Sequence, residues 1–214
     1  MKKLFLPLLT CAVLSAASQS KQVVYNYGTA ISFNPTVLIG TDYTVMLGAE
    51  HRLKNNLAVV LDAGYVFHSA YFNRDVIKST SGFSVRPGIK IYTKENKRFY
   101  LQLGVFYKQV DYKIYDWLGK DCVNEIPTYE QLQNFTYRKK SVSFNVMGGW
   151  NFRISDIILL ELYTGMGVKI KNQKPTEEGS CYRNNDPVGF GNIFTEHLVT
   201  PSLPFGIKIL VPIK

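Results

Sequence analysis

The sequence predicts an all-β protein, an eight-stranded antiparallel up-and-down transmembrane β-barrel, and three observations carry that prediction. Eight segments place large apolar residues at every second position, and the connections between them alternate between short and long. No stretch beyond the N-terminal region reaches the roughly 20 apolar residues that a membrane helix needs, so a bilayer-embedded chain would have to cross with strands. Residues 82–92 show the alternation best. Phe83, Val85, Pro87, Ile89 and Ile91 fall on one face, and Ser84, Arg86, Gly88, Lys90 and Tyr92 on the other.

Residues 1–20 read as a secretory signal: Lys2 and Lys3 form the basic end, Leu4 to Leu14 the apolar run, and Ser15 and Ala17 the small residues before cleavage. Residues 21–214 then form one barrel domain. Cys11, after Leu8-Leu9-Thr10, loosely fits a lipoprotein signal instead, but Thr10 is bulky for that cleavage position. The formal charge of +9 falls to +7 without Lys2 and Lys3. Export and the lack of a recognisable nucleic-acid module point this basic balance toward anionic lipid headgroups rather than nucleic acid.

Period-two reading gives strands near 24–34, 42–53, 57–67, 82–92, 98–108, 139–153, 156–171 and 198–211. Short turns fall at Lys54-Asn55-Asn56, around Thr93 to Lys97 and at Ser155, and long polar loops fill 68–81, 109–138 and 172–197. A monomeric outer-membrane barrel with both termini in the periplasm has this asymmetry, with tight turns inside and longer loops outside. The outward positions test it further. The third strand offers Leu57, Val59, Leu61, Ala63, Tyr65 and Phe67; the fifth Phe99, Leu101, Leu103, Val105 and Tyr107; the sixth Val142, Phe144, Val146, Gly148, Trp150 and Phe152. None is charged, and aromatics sit toward the strand ends, where interfacial girdles belong.

A soluble lipocalin-like barrel, apolar inside and wet outside, shares the alternation. The glycines argue for the membrane form: Gly28, Gly48, Gly64, Gly88, Gly104, Gly149, Gly165, Gly167 and Gly206 all fall on the polar face. On a wetted strand face glycine only weakens the strand, whereas in a narrow lumen it makes room for larger neighbours. The inward set forms a candidate polar network of Glu50, Arg52, Asp62, Arg86, Lys90, Arg153, Glu161, Lys169 and Lys208. Opposed charges in so small a barrel should pair and plug it; a narrow anion-preferring path for small solutes or ions, in the manner of a porin, is the alternative.

Cys122 and Cys181 remain after the signal is removed, and an even pair in an exported chain predicts a disulfide, here joining two outer loops. Aromatic Tyr112, Tyr115, Trp117, Tyr129 and Phe135 give residues 109–138 a composition suited either to recognition or to covering the barrel mouth. Lys108, Lys113, Arg138, Lys139, Lys140 and Lys171 form a candidate anion patch at the outer rim, with phosphorylated lipopolysaccharide as the expected partner.

Several stretches resemble a known family: Ile31-Ser32-Phe33-Asn34-Pro35, Gly48-Ala49-Glu50-His51-Arg52-Leu53, Gly82-Phe83-Ser84-Val85-Arg86-Pro87-Gly88, and Tyr100-Leu101 to Tyr107. The family comprises small outer-membrane barrels of Gram-negative anaerobes and is catalogued only as a domain of unknown function. The resemblance spans nearly the whole mature chain and implies an outer-membrane barrel akin in architecture to OmpX-like and OmpW-like proteins, inserted by the barrel assembly machinery. It implies no activity. Such barrels usually end on an aromatic residue, whereas this chain ends Val211-Pro212-Ile213-Lys214, and Pro201, Pro204 and Pro212 fit awkwardly in a last strand.

An enzyme is not expected. Some barrels of this size modify lipid A, but His51 falls near the periplasmic end, far from lipid A, and His68 and His197, near the outer rim, lack the His-x-Ser pairing by which such deacylases resemble one another. Cys122, Cys181 and His197 show no close metal-ligand spacing, so no metal, cofactor or catalytic residue is assigned. The expected role is structural or interactive, with the outer loops as the working surface.

Overall fold

The computed structural model describes residues 27–54, 56–69, 76–93, 98–123, 126–155, 157–182 and 197–213. The expected signal over 1–20, the expected strand start at 24–26 and much of the expected loops over 68–81 and 172–197 lie outside these. Among them run β1 (Thr29–Phe33), β2 (Asp42–Lys54), β3 (Leu57–Ser69), β4 (Ile77–Tyr92), β5 (Phe99–Lys120), β6 (Tyr129–Arg153), β7 (Leu159–Pro175), β8 (His197–Ser202) and β9 (Phe205–Ile213). Every pairing is antiparallel, β1 to β8 pair in sequence order with their neighbours up to β7–β8, and β9 pairs with both β7 and β1, so the sheet closes into a ring.

The ring has eight strands because β8 and β9 are two halves of one. Thr164 of β7 stands opposite Phe205 and Gly167 opposite Ser202, so the register runs unbroken past Leu203 and Pro204. Pro204 has no N–H to donate, yet its carbonyl still accepts from Gly165 N–H at 2.8 Å. Pro201 and Pro212 are likewise accommodated, opposite Val168 and Ala30. At the other seam β1 is only five residues long. Pro35 ends it by opening a 3-10 turn, Pro35–Leu38, which bridges the seam: Asn34 N–H reaches Met46 O at 3.1 Å, and Ile207 N–H donates to Thr36 Oγ1 at 3.3 Å.

The expected loop over 109–138 is corrected. β5 and β6 run for 22 and 25 residues and stay paired from Phe99 opposite Trp150 to Lys120 opposite Tyr129, leaving only 121–128 as the connection. Period two persists here with its polarity reversed. Val110, Tyr112, Ile114 and Leu118 point inward and are buried with Val66, Phe135, Tyr137 and Tyr182, while Asp111 and Lys113 point outward. The hairpin therefore rises beyond the rest of the ring on an apolar core of its own. β4 also starts earlier than expected, at Ile77, and β7 runs on to Pro175.

Below that level the outward face is apolar all round. Leu47, Leu61, Ile89, Leu103, Val146, Met166 and Val211 are all exposed. On β6 the band runs from Val142 to Phe152 and on β7 from Leu160 to Ile170, opposite one another. About ten residues of strand at ~3.3 Å each, tilted by about 40°, make a band ~25 Å tall. Aromatic clusters bound it. Phe99, Trp150 and Phe152 stack near the short-turn end, with centroids 4.3 and 5.2 Å apart, and Phe83–Tyr107 and Tyr43–Phe67 pair at the other, at 5.6 and 6.4 Å.

Candidate functional site

The barrel interior holds the chain's densest set of charged side chains, and parity puts them there. In a strand whose odd positions face outward, every even one faces the lumen. They stack in layers along the axis.

The lowest layer centres on Glu50 of β2. Its carboxylate accepts from Tyr27 Oη at 2.9 Å, Tyr92 Oη at 2.5 Å and Lys90 Nζ at 2.8 Å. Lys90 also donates to Glu161 at 2.5 Å, and Tyr100 Oη donates to the same carboxylate at 2.7 Å. Arg52 lies between the Tyr27 and Tyr92 rings, 4.1 and 4.6 Å from their centroids. One step up, Lys208 pairs with Asp62 at 2.7 Å. Next, Tyr163 Oη accepts from Asn34 Nδ2 at 2.8 Å and from Arg86 Nη1 at 3.3 Å. Two glycines make these layers possible. A Cβ on Gly48 would sit 2.0 Å from the Asp62 carboxylate, and one on Gly149 would sit 2.1 Å from Tyr100 Oη.

The upper layer centres on Asp42, the first residue of β2. Its carboxylate accepts from Ser69 Oγ at 2.7 Å and Tyr112 Oη at 2.9 Å, and it faces Lys108 Nζ at 3.1 Å and Lys139 Nζ at 3.7 Å. Tyr112 ties this layer to the apolar core of the hairpin above.

Most of the expected polar network is therefore brought together: Glu50, Arg52, Lys90 and Glu161 in one layer, Asp62 and Lys208 in the next, Arg86 above them. Arg153 stands apart, exposed at the short-turn end. The expected rim patch is divided by parity. Lys113, Arg138 and Lys140 are on the outward face, where Arg138 and Lys140 line a cavity of about 400 Å³ and Arg138 pairs with Asp111 through bonds of 2.7 and 2.9 Å. Lys108, Lys139 and Lys171 are on the inward parity, beside Lys169. Sequence alone does not mark Asp42 and Ser69 as site residues and offers Tyr112 only as an outer-loop aromatic; the available signal is the parity Asp42 shares with Glu50.

No family model, curated protein or solved structure matches the chain. Its chemistry therefore has to be read from its own residues. Among the described residues no group of three or more His, Cys, Asp or Glu is placed to hold a metal ion. His51 shares a 2.9 Å hydrogen bond with Thr29 Oγ1 on the outer face, and His68 stacks on Tyr43 there; the His197 side chain lies outside the described residues.

At the hairpin tip Cys122 and Cys181 form a disulfide. It clamps the end of the hairpin to the segment that follows β7, where Gly119 and Cys181 exchange backbone hydrogen bonds of 2.9 and 3.1 Å. Lys120 pairs with Glu177, and that bond holds the Glu177 carboxyl below the usual range; burial and the Asp116 carboxylate push the Tyr182 hydroxyl well up. Of the aromatic residues considered for recognition, Tyr112 and Phe135 are buried in the hairpin core, and Tyr115, Trp117 and Tyr129 are exposed. Reduction is expected to loosen this end alone. Closing the 59-residue separation contributes about 4 kcal/mol in the chain-entropy account. Cys122→Ser/Cys181→Ser should thus speed proteolysis near 121–128 while the lower layers keep their hydrogen-exchange protection; uniform loss of protection would refute a local role.

Proposed function

We propose that this chain is an outer-membrane β-barrel whose ion-paired lumen is a filled structural core and whose outer hairpin and loops are its working surface. The observation that carries the proposal is the segregation of charge on a closed ring. The outward face is apolar over a height close to a bilayer's hydrocarbon core and is edged by aromatics, while Glu50, Asp62, Glu161, Lys90 and Lys208 are all buried inside. A soluble barrel would reverse that distribution. The likeness of Gly82–Gly88 to small outer-membrane barrels points the same way, as does the secretory-signal reading of residues 1–20.

The filled lumen supports a structural or interactive role over transport. The Glu50–Lys90–Glu161 layer spans from β2 through β4 to β7 with both carboxylates and the ammonium fully buried. The working surface then lies with exposed Trp117, Tyr115 and Tyr129 and with the outward cations Lys113, Arg138 and Lys140, which suit phosphorylated lipopolysaccharide. Catalysis is not assigned.

Membrane fractionation with gel migration before and after boiling tests the proposal. The expected result is recovery in the outer-membrane fraction and a band that shifts on heating, as a folded barrel resists detergent until boiled. Recovery as a soluble periplasmic protein would overturn it.

A further inference from the structure

Charge inside the barrel is unevenly shared along its axis. In the two lowest layers three carboxylates, Glu50, Glu161 and Asp62, meet three cations, Arg52, Lys90 and Lys208. In the upper layer Asp42 contacts Lys108 and Lys139, and Lys169 and Lys171 share the same inward face. Among the described residues neither Lys169 nor Lys171 has a carboxylate within ion-pair distance. Among the described residues, Lys108 and Lys139 thus share the Asp42 carboxylate, with Lys169 and Lys171 on the same inward face.

The register explains how they converge. Ser84 of β4 lies opposite Lys108 of β5, Lys108 opposite Ser141 of β6, and Ser141 opposite Lys171 of β7. One hydrogen-bonded row therefore reads Ser-Lys-Ser-Lys across four strands, with Lys169 opposite Ser143 in the next row and Lys139 two residues from Ser141. Lys108 and Lys171 start about 10 Å apart, two strand spacings, a span that two lysine side chains close around one small anion. Between them on β6 stands the small Ser141, with Ser143 next on the same face, opposite Phe106 and Lys169. Like charges on one sheet face destabilise it, so their concentration beneath the hairpin core serves no purpose of packing. Ser84 adds an independent sign. Its hydroxyl is buried, 1% exposed, lies toward Gly64 of β3, and has no hydrogen-bond partner among the described residues.

We propose that the Ser84-Lys108-Ser141-Lys171 row, flanked by Lys139 and Lys169, binds a phosphate group. A phosphate offers several strong acceptor oxygens and up to two negative charges, and lysine is a point-charge phosphate binder; one dianion offsets most of the local excess of positive charge and gives the Ser84 O–H an acceptor. The group can belong to a water-soluble phosphate or to a lipid headgroup. The site lies inside the ring and does not depend on whether the outward band meets lipid.

Calorimetric titration of the purified full chain in neutral detergent at low salt tests it. Pyrophosphate is the soluble probe, and phosphatidic acid in mixed micelles, against phosphatidylcholine, is the lipid probe. Each lysine should contribute on the order of tenfold in affinity, so Lys169→Gln/Lys171→Gln should weaken binding by at least tenfold, and Lys113→Gln/Lys140→Gln on the outward face should leave it unchanged. Binding of pyrophosphate assigns the site to soluble phosphates, and binding of phosphatidic acid alone assigns it to a headgroup. Removing two repelling charges should also leave the inner double variant melting at or above the wild-type temperature without ligand. The proposal is overturned if neither probe binds, if the inner variant binds as well as wild type, if the outer variant is the one that loses binding, or if the inner variant unfolds early, since the lysines are then structural.

Discussion

Lys90→Met is expected to destabilise the barrel by about 3–5 kcal/mol, the usual cost of removing one partner from a buried ion pair. Lys90 is 1% exposed and its ammonium joins Glu50 at 2.8 Å to Glu161 at 2.5 Å. Methionine matches its length, so packing changes little and the loss is electrostatic. Without the cation two buried carboxylates face each other. Glu50 keeps Tyr27, Tyr92 and the Arg52 guanidinium at 4.0 Å, whereas among the described residues Glu161 keeps the hydrogen bond from Tyr100. Lys90→Met in a Glu161→Gln background should therefore cost clearly less than in the wild type. That coupling, ~1 kcal/mol or more, is what contact between the residues demands. Urea unfolding followed by tryptophan fluorescence measures it. An unchanged midpoint for Lys90→Met, or strict additivity of the two substitutions, would show that the layer is not the ionic unit its geometry describes.

What could be read from the sequence was parity; what could not was partnership. Side-chain direction alternates with every residue, so Glu50, Asp62, Lys90, Glu161 and Lys208 fall inward as soon as each strand is found. Which charge meets which depends on ring closure. Lys90 and Glu161 are 71 residues apart on strands that are not neighbours in the sheet, and no local pattern records their meeting. The hairpin was hidden for a different reason. Outward residues turn polar above Tyr107 and Val142, while inward ones turn apolar from Val110 to Leu118. A search for apolar-out alternation stops where the polarity inverts, and it reads the remainder as loop. That same step moved Lys108 and Lys139 to the rim, although Lys108 shares the parity of Gln102 and Lys139 that of Asn145. Asp42 is hard to recognise because it begins its strand, where an acidic residue looks like turn chemistry.

Val146→Arg separates the two environments that an outward apolar face can meet. Val146 is 47% exposed and stands at the middle of the band, between Leu103 of β5 and Met166 of β7. Facing water, an exposed valine tolerates arginine within about 0.5 kcal/mol. Facing hydrocarbon, the same change costs about 2–4 kcal/mol at the midplane and falls to about 0–1 kcal/mol near the interface. Ile170→Arg, at the upper edge of the band opposite Val142, supplies the shallow comparison. The expected result is thus a gradient, with Val146→Arg strongly destabilising and Ile170→Arg weakly so in unfolding from lipid vesicles, and with the difference shrinking in detergent micelles, which deform around a charge. Equal and small effects at both positions would mean that the apolar band meets water rather than a bilayer, and the inward charges would then need a different explanation from a lumen sealed off from lipid.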